Sequence, residues 1–185
     1  MIFKKRDWKI KFKNCLEIGK YTYGLDRNCF IGLSTNTPVK IGRYCSFGPN
    51  VKIFLNSDHP INLVSTFPLK TLVKQKSPWP NLDAISKGGV KIGNDVWVGA
   101  NSLIMSGIKI SDGAVIAAGS IVTKNIGPYQ LVGGNPAKFI KSRFKKIQID
   151  ALLRIKWWNW SEEKIKKHLD EFYLDAEKFI KSHDI

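Results

Sequence analysis

The chain has 185 residues, and its 30 Lys and Arg against 15 Asp and Glu give a formal net charge of +15. This length and the 43% hydrophobic content predict one folded domain and argue against general disorder. No apolar run approaches the roughly 20 residues of a membrane-spanning helix, and the basic first residues lack the apolar stretch of a secretory signal. We therefore expect a cytoplasmic protein with reduced thiols at Cys15, Cys29 and Cys45. The surplus charge predicts an anionic partner.

A six-residue rhythm begins in the first third of the chain. The pairs Ile18-Gly19 and Ile31-Gly32 indicate degenerate turns of this rhythm, although the sequence does not reveal their register. The segments IGRYCS, FGPNVK and IFLNSD follow, and each begins with an apolar residue six positions after the previous one. These residues are Ile41, Phe47 and Ile53.

The rhythm is lost between Asp58 and about Gly89, which predicts a loop over residues 57–89 that protrudes from one corner of the repeat. Such long excursions in compact domains are usually functional or disordered, and this one has too many apolar residues for disorder. Those residues are Phe67, Leu69, Leu72, Trp79 and Leu82. We therefore expect the loop to pack over a neighbouring subunit.

His59 stands at the base of this loop, next to Asp58. Its position alone would fit an ordinary surface residue as well as a functional one. The combination of a single histidine, an adjacent carboxylate and the change from repeat to loop makes His59 the candidate catalytic residue.

The repeat returns from Ile92 as IGNDVW, VGANSL, IMSGIK, ISDGAV, IAAGSI and VTKNIG. A helix would need apolar residues every three or four positions, and a hairpin would alternate with longer turns, so neither fits. A period of six predicts a parallel β-helix in which three hexapeptides form one triangular coil. The first residue of each hexapeptide would point inwards, and a small or β-branched residue four positions later would fill the corner.

One domain is the default for this length, but the last part of the chain changes to helical spacing. This change divides the predicted fold into a β-helix domain over 1–144 and a helical cap over 145–185. Ser161 is the expected N-cap of one helix, with two glutamates in its first turn. We interpret Trp157, Trp158 and Trp160 as packing residues rather than a cofactor site. His168, beside a lysine, is expected to be solvated.

The repeat, the loop with its histidine, and the segments IGNDVWVGANSLIM, AAGSIVTKNI and GGNPAKFIKSRF resemble the hexapeptide-repeat acyltransferases over roughly residues 39–160. The segment IKWWNW is typical of the xenobiotic acetyltransferases, which act on streptogramin A and chloramphenicol. SDHPINLVSTFP is more similar to the O-acetyltransferases of polysaccharide gene clusters. The resemblance implies a mostly β fold, a left-handed parallel β-helix that departs from the right-handed crossover rule. It also implies a homotrimer with three active sites between subunits, and acetyl-CoA as donor.

The resemblance makes His59 the general base that removes a proton from the attacking hydroxyl, a role worth about 10²–10⁴-fold in rate. Asp58, a carbonyl or a carboxylate of another subunit would orient the ring, and a backbone N–H at a coil corner would stabilise the oxyanion. We expect direct transfer without a covalent intermediate, since Cys45 occupies a small inward-facing position and the other cysteines have no neighbouring base.

The resemblance also places coenzyme A. Ala100, Ala118, Thr123 and Lys124 match positions along the pantetheine arm, where small residues would equally serve coil packing. Lys141, with Arg143 as a second candidate, matches a basic residue near the nucleotide phosphates. Trp97 is interpreted either as a flank of the thioester cleft or as a structural residue.

The acceptor is left open by these patterns. The loop reads Asp58-His59-Pro60 and TFPL, where streptogramin enzymes carry Asn-His and YPF, so a sugar or polysaccharide hydroxyl is favoured over an antibiotic hydroxyl or an amino sugar. A nucleic-acid-binding protein is disfavoured because the lysines are spread without interleaved aromatic residues. A non-catalytic scaffold is a further alternative. No metal is expected, because the metal-dependent carbonic anhydrases of this fold need three histidines from the coils.

Overall fold

The protein is described by a computed structural model that covers residues 14–74 and 83–184. Short strands dominate the first part of this structure, and helices follow them. The strands are β1 (Leu16–Ile18), β2 (Phe30–Ile31), β3 (Val39–Ile41), β4 (Ser46–Phe47), β5 (Lys52–Phe54), β6 (Val90–Ile92), β7 (Trp97–Val98), β8 (Leu103–Ile104), β9 (Lys109–Ile110), β10 (Val115–Ile116), β11 (Ile121–Val122), β12 (Gln130–Gly133) and β13 (Lys138–Ser142). The α-helices are α1 (Leu69–Lys74), α2 (Lys146–Ile155), α3 (Glu162–Lys167) and α4 (Ala176–His183).

Within the described residues the strands form three sheets, which are the three sides of a prism. Side A has the order β1-β3-β6-β9, side B the order β4-β7-β10-β12-β13, and side C the order β2-β5-β8-β11. All pairings are parallel except that of β12 with β13. Ile92 pairs with Ile110, so the chain returns to the same side after three hexapeptides. The predicted triangular coil is confirmed.

The core of the prism consists of the two sets of positions that the repeat predicts. Every first residue of the second repeat is at most 4% exposed, and every residue four positions later is at most 6% exposed. The first set is Ile92, Val98, Ile104, Ile110, Ile116 and Val122, and the second is Val96, Ser102, Ile108, Ala114, Ser120 and Ile126. Stacking them removes a continuous column of apolar surface from water, which is the main source of stability in a solenoid.

The coils approach too closely at their corners for larger side chains. A Cβ on Gly99 would lie 2.4 Å from the backbone nitrogen of Ala118 in the next coil. Contacts this short essentially never occur, so glycine is required where one corner stacks on the next.

The sequence did not determine the register of the first coil, and the strand pairings define it. Ile18 pairs with Ile41, and Phe30 pairs with Ile53. Phe30, not Ile31, points into the core, because it follows Ile18 by twelve positions, which is two hexapeptides. The irregularity of this coil is an insertion of five residues between Phe30 and Ile41. The basic residues before position 14 lie outside the described residues, as do Trp79 and Leu82.

The C-terminal region packs against the corner between sides A and B, where its buried residues form a second cluster with Tyr129. Trp158 is 2% exposed, and the ring of Trp157 contacts that of Phe172 at 5.0 Å between centroids. The predicted packing role of the tryptophans is confirmed. Ser161 caps α3 as predicted by accepting a hydrogen bond from the backbone N–H of Lys164. None of the helices in the part of the chain that the structure describes is long and apolar enough to cross a bilayer.

The expectation for His168 was wrong. The sequence predicted a solvated side chain, but only 23% of it is exposed, and its ring nitrogen Nδ1 lies 2.7 Å from Oε1 of Glu171. His183, near the end of α4, bonds the other oxygen of the same carboxylate at 2.7 Å. These hydrogen bonds hold the pKa of the Glu171 carboxyl below its usual value.

Candidate active site

The long loop leaves the prism at the corner between sides C and A and returns to the same corner. Its two ends are joined at a neck: the N–H of Ile85 donates to the carbonyl of Asp58 at 2.8 Å, and the Ser86 hydroxyl donates to the carbonyl of Leu55. Leu55 itself is fully buried in the coil below. The neck therefore holds the loop base in place relative to the core.

His59 is the first residue beyond this neck. Its side chain is exposed, whereas the following Pro60 is buried and anchors the chain. Among the described residues no hydrogen bond reaches the His59 ring, although Asp58 precedes it. The structure thus presents the predicted base at the foot of the loop with its imidazole accessible.

The body of the loop carries many exposed apolar side chains. Helix α1 lies within it, and Asp83 ties this helix to the returning segment by accepting hydrogen bonds from the N–H and hydroxyl of Thr71 at 2.5 and 2.7 Å. These bonds lower the pKa of the Asp83 carboxyl. The apolar residues that this arrangement leaves in solvent are Ile61, Leu63, Val64, Phe67, Leu69, Leu72 and Val73.

Two of the residues predicted for coenzyme A come together at the corner between sides B and C. Ala100 follows β7 and Ala118 follows β10, one coil further on. The N–H of Gly119 donates to the carbonyl of Ala100 at 2.8 Å, so the two corners are stacked directly. Their short side chains leave the backbone there open to a ligand.

Thr123 and Lys124 lie at a different corner, the one that also carries the loop. They follow β11 and are exposed, and the coil between them and the loop contributes Ser106 and Gly107. The N–H of Gly107 donates to Gly88 at the end of the loop at 2.9 Å. In one chain, these two residues therefore share a corner with His59, and side C separates them from Ala100 and Ala118.

Trp97 and Lys141 lie on the outer face of side B. Trp97 pairs with Val115, Val115 with Leu131, and Leu131 with Lys141, so all four occupy one row across the sheet. Three strand spacings put the ends of this row roughly 14 Å apart. Trp97 is 57% exposed, and Lys141 is exposed at the last strand. This row borders the corner that holds Ala100 and Ala118.

Arg143 is held by contacts within its own chain. Its guanidinium donates to the carbonyl of Gly113 at 2.7 Å and lies 3.4 Å from the Asp95 carboxylate. It also lies over the rings of Tyr129 and Phe144 at 5.3 and 5.2 Å from their centroids. These contacts hold the first residues of the C-terminal region against the corner between sides A and B.

The same corner contains features that the sequence did not reveal. Asp95 and Tyr129 line a cavity of about 230 Å³ between the coils and the C-terminal helices. Burial raises the pKa of both groups, and Arg143 opposes this effect. The buried Tyr129 hydroxyl has no hydrogen-bond partner among the described residues. The sequence offered no signal for this cavity, because its residues come from separate coils and helices.

The cysteines are poor candidates for nucleophiles. Cys15, Cys29 and Cys45 are free and buried. Cys45 is fully buried in the core as predicted, and burial raises the pKa of its thiol to about 11. The thiolate, which is the reactive form, is therefore scarce near neutral pH.

Comparison with known sequences supports the interpretation of the repeat. Residues 89–124 match the family profile described as "Hexapeptide repeat of succinyl-transferase". The chain is 46% identical over 129 residues to a chloramphenicol acetyltransferase of Klebsiella aerogenes, covering 68% of this chain and 61% of that protein. It is 42% identical over 139 residues to a probable macrolide acetyltransferase of Lysinibacillus sphaericus, covering 74% and 77% of the two chains. The chain thus spans about three fifths of the length of the first of these relatives.

Solved structures show the same architecture. A maltose O-acetyltransferase from Clostridium difficile 630 is 31% identical, with a TM-score of 0.52 over 70% of this chain and 60% of the other. A hexapeptide-repeat acetyltransferase from Vibrio cholerae in complex with acetyl-CoA is 27% identical, with a TM-score of 0.53 over 70% and 61%. The fold is therefore a left-handed parallel β-helix with C-terminal helices. With its stacked hexapeptide coils, its loop at one corner and relatives that it matches at over 40% identity, the chain belongs to the hexapeptide-repeat acyltransferase family.

Proposed function

We propose that the protein transfers an acetyl group from acetyl-CoA to a hydroxyl group of a small acceptor, with His59 as general base. The observation that carries this proposal is the position of His59, which the neck holds at the foot of the loop with an accessible ring. The names of the related acetyltransferases support the reaction class.

The proposed chemistry needs a neutral imidazole. His59 would accept the hydroxyl proton while the acceptor oxygen attacks the thioester carbonyl. The tetrahedral intermediate would then collapse with cleavage of the C–S bond, and the imidazolium would return the proton to the departing CoA sulfur. A backbone N–H at a coil corner would stabilise the oxyanion. Asp58 or a group of a neighbouring subunit would orient the ring.

The division of the candidate residues between two corners supports a site shared by two chains. In this proposal three copies assemble with the loop corner of one chain against side B of the next. His59, Thr123 and Lys124 of one chain would then face Ala100, Ala118 and Trp97 of its neighbour. The exposed apolar residues of the loop would be covered by that contact. Such a homotrimer would operate in the cytoplasm, where acetyl-CoA is available.

Lys141 is the better of the two candidates for the nucleotide phosphates. It is exposed at the edge of side B, whereas the Arg143 guanidinium is occupied by Asp95 and Gly113. We therefore assign the phosphate contact to Lys141 and a structural role to Arg143.

The Lys141 assignment predicts a selective loss of affinity. Lys141→Ala should weaken binding of CoA by about tenfold, since a charge-assisted hydrogen bond to phosphate is worth about 1.5–3 kcal/mol. For dephospho-CoA, which lacks the 3′-phosphate, the affinities of the variant and the parent should differ less than they do for CoA. Calorimetry with both ligands measures the difference, and Lys109→Ala, an exposed lysine on side A, is the control. Equal losses for the two ligands would contradict a contact with the 3′-phosphate.

For the acceptor we propose an antibiotic hydroxyl of the chloramphenicol or streptogramin type. The relatives matched at over 40% identity are named for antibiotic acetylation, and this outweighs the loop sequence, which favoured a sugar. A sugar or polysaccharide hydroxyl is the second candidate, supported by the likeness to the maltose O-acetyltransferase.

A thiol-release assay with the full-length protein tests both the reaction and the acceptor. Acetyl-CoA is supplied with chloramphenicol, a streptogramin A or maltose, and free CoA is detected as acetyl transfer proceeds. Acceptor-dependent release with either antibiotic supports the first proposal, and release with maltose alone supports the second. If CoA binds but no acceptor stimulates release, including an amino sugar, the reaction class itself is wrong.

A further inference from the structure

A cluster of two histidines and one glutamate lies in the C-terminal helices, outside the candidate active site. Nδ1 of His168 is 2.7 Å from Oε1 of Glu171, and Nε2 of His183 is 2.7 Å from Oε2 of the same residue. One donor atom from each of the three side chains lies within 4.8 Å of the other two. We infer that these three residues form a binding site for a divalent transition-metal ion of the zinc type.

Two of the ligands are three positions apart, and the fold brings the third to them. His168 ends α3, Glu171 lies in the 3-10 helix over Leu169–Tyr173, and His183 lies in the last turn of α4. The fold brings His183 to Glu171 across 12 positions. Two imidazoles and one carboxylate are the protein ligands found in several zinc sites that keep a fourth position for water.

The dimensions of the cluster suit such an ion. Zinc bonds of about 2.0–2.2 Å in tetrahedral geometry place neighbouring donor atoms roughly 3.4 Å apart. The two nitrogen–oxygen distances of 2.7 Å involve different oxygens of Glu171. With one of these oxygens as ligand, its short distance would have to widen and the longer separations, which reach at most 4.8 Å, would have to shorten through side-chain rotations. On binding, the nitrogen of each ring that faces Glu171 would coordinate the ion, and the ring N–H would lie on the nitrogen that faces away from Glu171.

The surroundings of the cluster favour a bound ion that is partly shielded from water. The His183 side chain is 7% exposed, while those of His168 and Glu171 are 23% and 30% exposed. The rings of Trp160 and Phe179 lie 4.7 and 4.8 Å from that of His183. This apolar shell leaves the cluster accessible from the side of His168 and Glu171, where a water molecule would complete the coordination.

The site would act on stability rather than on acetyl transfer. Its ligands belong to the C-terminal helices, whereas His59 lies in the loop at a corner of the coils. A metal ion would fasten the end of α4 to the 3-10 helix, and because it binds the folded state it would raise the midpoint of thermal unfolding.

Calorimetric titration of the full-length, tag-free, metal-stripped protein with zinc and with cobalt tests the inference. One ion should bind per chain, and the cobalt complex should show the visible absorption of tetrahedral coordination. His183→Gln and Glu171→Gln should each weaken binding by about tenfold or more. Asp170→Asn, which changes the exposed neighbour of Glu171, should bind like the parent.

Thermal unfolding provides a second measurement that does not require acetyl transfer. Zinc should raise the unfolding midpoint of the parent and of Asp170→Asn, and it should have no such effect on His168→Gln, whose ligand is partly exposed. Circular dichroism confirms that each variant is folded. If the parent binds no zinc or cobalt, or if the ligand variants bind as tightly as the parent, the metal site is refuted.

Discussion

Replacing His59 by alanine is expected to lower the kcat of acetyl transfer by at least about 100-fold, because the attacking hydroxyl would lose its general base. The side chain is exposed, and no hydrogen bond connects it to other described residues, so its removal should leave the coils unchanged. Steady-state kinetics with acetyl-CoA and the preferred acceptor measures the loss. The dissociation constant for CoA and the oligomeric mass should equal those of the parent.

A second loop variant separates catalysis from loop structure. Asn62→Ala removes another exposed side chain of the same segment and should lower kcat far less than His59→Ala does, whatever its effect on the KM for the acceptor. If His59→Ala also keeps nearly normal activity, the general-base assignment is wrong. If both variants lose activity together with CoA binding, the effect of His59 is structural.

Truncating Ile116 to alanine is expected to lower the free energy of unfolding by about 2–5 kcal/mol. Ile116 is fully buried on side B, where it stacks between Val98 below and Val132 above. Hydrogen bonds between the coils hold their spacing, with Gly99 donating to the carbonyl of Ile116 at 2.8 Å. The coils therefore cannot collapse into the vacated volume, and the cavity persists.

The neighbouring residue provides a control in the same strand. Val115 points outwards from side B, so Val115→Ala removes side-chain volume without opening a cavity in the core. Urea-induced unfolding, followed at equal protein concentration, should show a much larger decrease in midpoint for Ile116→Ala. Equal decreases for the two variants would mean that the inward column does not dominate the stability of the coils.

The regular part of the fold could be predicted because the same physical requirement recurs every six residues. Ile92 and Ile110 have the same environment one coil apart, and the sequence repeats accordingly. The register of the first coil was not predicted because five extra residues lie between Phe30 and Ile41, the inward residues of sides C and A. This insertion interrupts the period at one corner, so the residues before it cannot be aligned with the later repeats by counting in steps of six.

The candidate site was only partly accessible to sequence reasoning. His59 was identified because it stands where a periodic segment ends, and the structure places it at the foot of the loop. Ala100 and Ala118 share a corner because they are one coil apart, whereas Thr123 follows Ala118 by five positions and so lies at the next corner. His168 was misjudged because its pairing with Glu171, three positions further on, was overlooked, and because His183 reaches this pair only through the packing of α4.

The hydrogen bond between Asp58 and Ile85 fixes both ends of the loop on the stacked coils. Among the described residues, the segment between these two takes no part in the hydrogen bonds between the coils. A segment attached in this way can change in length and composition while the stacked coils keep their register. Under the proposed function, replacement of residues 61–84 would change the acceptor preference while His59 and the corners proposed to bind acetyl-CoA are retained. Exchange of this segment between relatives offers a direct route to enzymes with altered acceptors on one unchanged scaffold.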